Sequence, residues 1–315
     1  MKFGQISDLI GAAKNIAIIS HKNPDGDTIG ANLALRYYLQ SIGKIVASAC
    51  VDKPKANYDW LLEIDKFVQN FSTVDDNGRQ KFDLIMSVDS SSEAMLGFTD
   101  VRPKLNIDHH ISNTNFADIN IVDADASSTS FIIYKIFKEL GWLITRNVAT
   151  ALLTGIYFDT GSFMHSNTNT ETLKAASELT RLGADKTRIV KSLFKTMTIP
   201  QIKLWGKILE KIKTTERGIT VSVVTSDDLK ECGASQEETE RVIDFLNTNE
   251  EGRFCVLLVE NIDKGIIKGS ARTRGEEIDL SGVCKLLGGG GHKKAGGFSF
   301  PGKIIEETIF KIKKD

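Results

Sequence analysis

Four short segments of this sequence gather side chains able to hold metal ions. In His21-Lys22-Asn23-Pro24-Asp25-Gly26-Asp27 an imidazole and two carboxylates lie within one turn-sized stretch, with Pro24 and Gly26 shaping the turn between them. Carboxylates this close repel one another, and a bound cation relieves the repulsion. The same residues also suit an ordinary Asx turn that caps a helix. Asp89 closes one apolar run, Asp108-His109-His110 closes another, and Asp159 follows the apolar stretch Ala149 to Tyr157. Singly, each could be a turn, cap or surface residue. Together they hold three of the chain's five histidines, and a fourth, His292, follows the glycine run Gly288 to Gly291; a bland surface does not produce that clustering. Oxygen and imidazole donors without thiolate favour manganese or magnesium over a structural zinc. The donors exceed what one ion needs, so two divalent cations are expected. In two-metal sites the ions lie about 3.5 to 4 Å apart, generate a hydroxide and clamp the oxygens of an in-line displacement at phosphorus.

Such donors need a scaffold that brings them together. Asn15 to Ser20 reads as a buried strand, Thr28 to Ile42 as a helix stopped by Gly43, and Ile45 to Ala49, Phe82 to Val88 and Lys104 to Ile107 as further strands. Helices follow at Ser128 to Leu140 and Asn147 to Tyr157. Three of the donor segments thus stand at the carboxyl ends of strands, where wound α/β sheets collect their ligands. Glu171 to Thr214 reads as helical, broken near Gly183 and Pro200, and strand signals return at Ile219 to Thr225, Phe254 to Glu260 and Ile266 to Arg272. The expected fold is α/β: a metal-binding catalytic domain with a mostly parallel sheet over 1–185, a helical connector over 186–214, and a smaller α/β substrate-binding domain over 215–315. The basic tail Lys311 to Lys314 reads as a solvated helix end.

Bulk properties narrow the partners. With 40 basic against 41 acidic residues there is no global pull on long duplex nucleic acid. The cysteines, Cys50, Cys232, Cys255 and Cys284, are scattered without a CxxC pair, which argues against a zinc ribbon or a disulfide framework and fits a reducing cytoplasm. No apolar run approaches the roughly 20 residues that span a bilayer, and Asp8 and Lys14 fall where a signal peptide needs an unbroken apolar stretch. Trp60, Trp142 and Trp205 read as packing residues and His165 as an exposed one, with Phe163 a weak candidate for stacking on a base.

In order and residue type, His21 to Asp27, Asp89, Asp108-His109-His110 and Asp159 resemble the four motifs of the DHH phosphoesterase superfamily, which includes RecJ-type exonucleases, nanoRNases and manganese pyrophosphatases. Gly288-Gly-Gly-Gly291-His292, with Arg272 upstream, resembles the DHH-associated substrate domain of the nanoRNase and RecJ branches. The resemblance implies that His21, Asp25 and Asp89 hold one ion and that Asp27, Asp89, His109 and Asp159 hold the other, with Asp89 bridging. It implies that Asp108 orients His109 through a hydrogen bond and that His110 faces the scissile phosphate, which makes Asp89, Asp108 and His110 the catalytic group. Arg272, His292, His110 and the open backbone of Gly289, Gly290 and Gly291 would grip the phosphate or terminal nucleotide. The activity it implies is hydrolysis of short oligonucleotides from an end, and of 3′-phosphoadenosine 5′-phosphate, by hydroxide attack at phosphorus, with manganese favoured and magnesium the alternative. The expected partners are short single-stranded RNA or DNA and nucleotides, with no membrane and no long duplex, because the chain has no room for the extra nucleic-acid-binding domains of RecJ-type enzymes. A homodimer is left open. The alternatives are a cyclic-dinucleotide phosphodiesterase and, from another class, a non-catalytic nucleotide-sensing protein. An inorganic pyrophosphatase is disfavoured, since that branch carries a different C-terminal domain.

Overall fold

The computed structural model describes residues 3–194, 197–239, 241–250 and 252–305, apart from the side chains of Phe194 and His292. The tail Lys311 to Lys314, expected to be a helix end, lies outside the described residues. The chain divides into two units, 1–196 and 197–315.

In the first unit the order is α1 (Gly4–Ala12), β1 (Asn15–Ile19), α2 (Gly26–Ser41), β2 (Ile45–Ala49), β3 (Phe67–Val68), β4 (Leu84–Val88), α3 (Glu93–Leu96), β5 (Leu105–Asp108), β6 (Ile119–Val122), α4 (Thr129–Leu140), α5 (Arg146–Asp159), α6 (Thr170–Arg181) and α7 (Lys186–Phe194). The six strands form one sheet in the order β3-β2-β1-β4-β5-β6, and every ladder is parallel. Helices α1 and α3 and strands β3 and β6 join the elements expected from the sequence. Along β1 the side chains alternate: Ile16 and Ile18 enter the large core under the helices, while Ala17 and Ile19 enter a second cluster with Leu96 and Val101. Both faces are covered, which is why the strand reads as an unbroken apolar run. Strand order runs outward from β1 through β2 to β3, then restarts at β4 and runs the other way. The β1/β4 junction is therefore the switch point, where the connections diverge and leave a crevice at the carboxyl ends of the strands.

Helix α2 is buried on almost every side, from Gly26 through Arg36. Its neighbour α5 comes to backbone contact at Gly30, where a Cβ would stand 2.4 Å from the Ala151 carbonyl oxygen and 2.9 Å from the Gly155 nitrogen. Only glycine permits that crossing. Below the crevice, Asn32 donates to the Ile18 carbonyl and the Ser20 hydroxyl, both at 3.0 Å, and accepts from Ser48 at 2.6 Å. This buried amide ties α2 to β1 and β2 and keeps the polar atoms satisfied.

The second unit runs α8 (Ile199–Glu210), β7 (Lys213–Thr214), β8 (Ile219–Val224), α9 (Ser226–Cys232), α10 (Val242–Leu246), β9 (Phe254–Asn261), β10 (Ile266–Arg272), α11 (Leu280–Leu286), β11 (Gly290–His292) and β12 (Ala295–Pro301). Its sheet order is β11-β12-β10-β9-β8-β7, antiparallel except between β8 and β9. Strand β9 has period two: Cys255, Leu257 and Val259 enter one core, Phe254, Val256 and Leu258 pack on the other. The segment 186–214 is shared out between the units, because Ile189 and Leu193 of α7 belong to the first core and Leu204 and Ile208 of α8 to the second unit's core.

The four cysteines are buried and unpaired. The tryptophans pack as expected: Trp142 stacks on Tyr38 at 4.3 Å, Trp205 donates Nε1 to the Glu238 carbonyl, and the Arg188 guanidinium lies over Trp60. Among the described residues no helix is long and apolar enough to cross a membrane.

Candidate metal centre

Each candidate ligand sits where an element of the first unit ends. His21 follows β1. Its Nδ1 lies 2.7 Å from the Lys22 carbonyl and donates to it, which leaves Nε2 as the nitrogen that faces the carboxylates, 3.8 Å from Asp25 Oδ1 and 3.5 Å from Asp89 Oδ2. Asp25 is the N-cap of α2, and its Oδ1 accepts from the Asp27 and Thr28 amides. Asp27, in the first turn of the helix and fully buried, accepts the Thr129 amide on Oδ2 at 2.6 Å and the Ser130 amide on Oδ1 at 2.9 Å. Asp89 follows β4 with φ +58°, a left-handed conformation that costs about 1 kcal/mol outside glycine and is tolerated best by Asp and Asn. Its amide donates to the Ile107 carbonyl, and its Oδ1 accepts from the Thr129 hydroxyl at 3.0 Å.

His109 follows β5. Its Nε2 stands 3.0 Å from Asp159 Oδ2 and 3.7 Å from Asp89 Oδ1, while Nδ1 faces the Ala126 carbonyl at 3.4 Å. Asp159 is the last residue of α5. The ligand atoms of His21, Asp25 and Asp89 lie within 4.8 Å of one another, and so do those of Asp27, His109 and Asp159. Asp89 meets His21 with one carboxylate oxygen and His109 with the other, so it stands between the two groups.

A third grouping joins Asp89, His109 and His110. In His110 the nitrogen nearest Asp89 is Nδ1, at 3.7 Å, and that atom already donates to Asp108 Oδ1 at 2.7 Å. His110 is therefore held by a carboxylate, with Nε2 as its free nitrogen. This corrects the expectation that Asp108 orients His109. Asp108 is fully buried, with Oδ1 on His110 and Oδ2 accepting from Asn113 at 2.5 Å, whereas His109 turns its Nδ1 towards a backbone carbonyl instead.

The charges show why the group suits cations. Burial first, then the charges of Asp89 and Asp159, push the Asp27 carboxyl well above the usual carboxylate range. Burial likewise raises Asp159 to about 6, against the opposing pull of His109. Asp89 is held well below that range: burial works against its charge, and the His21 hydrogen bond with the positive charges of His109, His21 and His110 overcomes it. For His21 and His109 burial disfavours the charged form, yet the facing carboxylates lift both to about 11. Protons on the imidazoles thus balance the clustered acids. Divalent cations can replace those protons, since hard oxygen donors with a few imidazoles are the set that such ions accept.

Three donors escaped the sequence reading: Thr129 and Ser130 at the start of α4, and Asn113 behind Asp108. The run Ser127 to Ser130 ahead of an apolar stretch does signal a helix start, and Ser128 caps α4 through the Phe131 amide. What the signal lacks is the partner. Gly155 lets α5 pass so close that a Cβ there would stand 2.0 Å from Ser130 Oγ and 2.5 Å from Asp27 Oδ1.

The expected substrate residues lie in the second unit. Arg272 ends β10, half-exposed, with Nε 3.0 Å from Asp244 Oδ1. Its register partner on β12 is Ala295, which also pairs with His292 on β11, so Arg272 and His292 occupy one cross-strand row. Two of the glycines face their own chain: a Cβ at Gly289 would stand 2.0 Å from the Gly297 carbonyl oxygen, and one at Gly291 2.4 Å from that of Ala295. Gly290, like Gly288 at the head of the run, meets nothing within 4 Å and is open.

Residues 15–156 match the DHH family, N-terminal domain, and residues 216–314 match the DHHA1 domain. This chain belongs to the DHH family of phosphoesterases, with a DHHA1 domain following. It is similar to the Bacillus subtilis bifunctional oligoribonuclease and PAP phosphatase NrnA, 27% identical over 90% of this chain and 88% of that protein. It is also similar to the Thermus thermophilus protein of the same name, 26% identical over 99% and 92%. Among solved structures, an exopolyphosphatase-related protein from Bacteroides fragilis superposes with a TM-score of 0.87 at 25% identity, covering 96% of this chain and 92% of that one.

Proposed function

We propose that this chain hydrolyses phosphoester bonds in short oligoribonucleotides and in 3′-phosphoadenosine 5′-phosphate, using two divalent cations. The observation that carries the reading is the meeting of six side chains in two donor groups, His21 with Asp25 and Asp89, and Asp27 with His109 and Asp159, with Asp89 facing both. His21, Asp25 and Asp89 would hold one cation; Asp27, Asp89, His109 and Asp159 would hold the other. Such cations supply Lewis acidity: they make water nucleophilic near neutral pH and neutralise charge growing on phosphate oxygens. Two imidazoles in the donor set weigh for manganese over magnesium, which prefers oxygen alone.

The protein's own groups do the rest. Asp108 fixes the His110 ring through Nδ1, so Nε2 is the atom that can give a hydrogen bond or a proton to the phosphate. Arg272, with its Nε on Asp244, keeps further guanidinium N–H groups for a substrate phosphate, and His292 and the open backbone at Gly290 share that task. The short substrates are supported by the names of the relatives, which are oligoribonucleases and PAP phosphatases. The intact donor set speaks against a non-catalytic nucleotide sensor. Four buried thiols without a disulfide support a reducing, cytoplasmic setting.

The test is turnover of labelled di- to pentaribonucleotides, long RNA, a cyclic dinucleotide and 3′-phosphoadenosine 5′-phosphate by purified protein with manganese or magnesium. Short substrates should be hydrolysed, faster with manganese, and Asp89→Ala should lower turnover by about 10³-fold. No turnover of any substrate, or full activity in Asp89→Ala, would overturn the proposal. Preference for long RNA would overturn its substrate half.

A further inference from the structure

The segment after α5 holds a residue that neither the donor set nor the substrate row uses. Asn167 donates both hydrogens of its Nδ2, one to the Ser127 carbonyl at 3.0 Å and one to the Asp159 carbonyl at 3.3 Å. The Asp159 carbonyl also accepts from His165 Nδ1 at 3.0 Å. Asp159 closes α5, and the carbonyls of a helix's last turn have no partner within the helix. Ser127 immediately precedes the Ser128 cap of α4, whose first amides and hydroxyl hold Asp27 and Asp89. One side-chain amide therefore staples the end of the helix that carries Asp159 to the start of the helix that holds Asp27.

We infer that Asn167 is a positioning residue for the cation group of Asp27, His109 and Asp159, and has less influence on the group of His21, Asp25 and Asp89, which it reaches only through the Thr129–Asp89 hydrogen bond. The inference rests on the metal reading proposed above. Its physical basis is that Asp159 and Asp27 reach the same group from different helices, so their separation depends on what joins those helix ends. Both His21 and Asp25 lie on the β1–α2 connection, which Asn167 does not touch. Partners behind metal ligands typically carry about 10- to 100-fold in metal affinity.

Calorimetric or spin-resonance titration of the metal-free full chain with Mn²⁺ separates the possibilities. Wild type should bind at two sites. Asn167→Ala should weaken one of them by about 10- to 100-fold and the other markedly less, lowering kcat more than it raises KM. Asn167→Asp, which keeps the shape and loses both donors, should weaken the same site, so a poorly folding alanine variant does not close the question. Asn169→Ala, two residues on, removes the N-cap of α6, where Oδ1 accepts the Thr172 amide. It should lower the Tm while keeping both affinities. The inference is overturned if a folded Asn167 variant binds at both sites as wild type does. It is equally overturned if both sites weaken together and to the same extent. Wild type that binds no Mn²⁺ would overturn the metal reading itself.

Discussion

In the first unit the candidate ligand carboxylates Asp25, Asp27 and Asp89 are held by amides and a hydroxyl independently of any cation, and Asp27 and Asp89 are almost completely buried. In the second unit Arg272 is half-exposed, held by the Asp244 carboxylate and the neighbouring Ala271 carbonyl, and Gly290 offers bare backbone to the surroundings. The first arrangement is a preorganised cage, in which the start of α4 fixes the directions of Asp27 and Asp89 and the amides of α2 fix that of Asp25. The second is a row of donors that can adjust to what it meets. Changes in the cage should therefore act on folding and on the chemical step, and changes in the row on substrate affinity.

The largest effect that would sharpen this contrast is expected from Gly155→Ala. Its Cβ would collide with Ser130 Oγ and Asp27 Oδ1, so thermal unfolding should show a loss of about 2–3 kcal/mol, with turnover lost alongside. A variant with wild-type Tm and activity would show that the α4–α5 crossing is looser than its distances state. A middle-sized effect is expected from Arg272→Ala: KM should rise about tenfold, with kcat changed little, in steady-state kinetics on a dinucleotide. A fall in kcat at constant KM would break the division, placing Arg272 in the chemical step. The smallest effect is expected from Gly290→Ala. It should fold as wild type and change KM by only a few-fold, whereas Gly289→Ala, crowded against Gly297 and Phe298, should lower the Tm by several degrees.

Much of the cage was legible in the sequence because parallel strands bury both faces, so an acid or imidazole directly after an apolar run announces the carboxyl end of a strand. His21, Asp89 and His109 were found that way: His21 and Asp89 flank the switch point, and His109 follows the neighbouring strand β5. The supporting donors were hidden for a physical reason. Thr129 and Ser130 act on residues about a hundred positions away, through a helix crossing that depends on Gly30 and Gly155, and no local pattern encodes such a crossing. The exchange of His109 for His110 as the partner of Asp108 has a similar origin: neighbouring residues past a strand end turn to different sides, and the backbone path decides which. In the second unit the glycine run read as loop or ligand cradle, yet β11 pairs with Ala295-Gly296-Gly297, a segment with almost no side chains to mark a strand. The division of 186–214 between two cores escaped because α7 and α8 carry similar amphipathic patterns, which give no clue to which core each joins.

The wide spacing of the cage along the chain has a further consequence. His21 and Asp159 come from opposite ends of the first unit's sequence and meet only when the whole sheet has assembled. An unfolded chain offers a cation little beyond the local pair Asp25 and Asp27. A ligand that binds the native state alone stabilises it by mass action, so the supply of divalent ions should govern how long this enzyme survives unfolding and proteolysis as well as how fast it turns over.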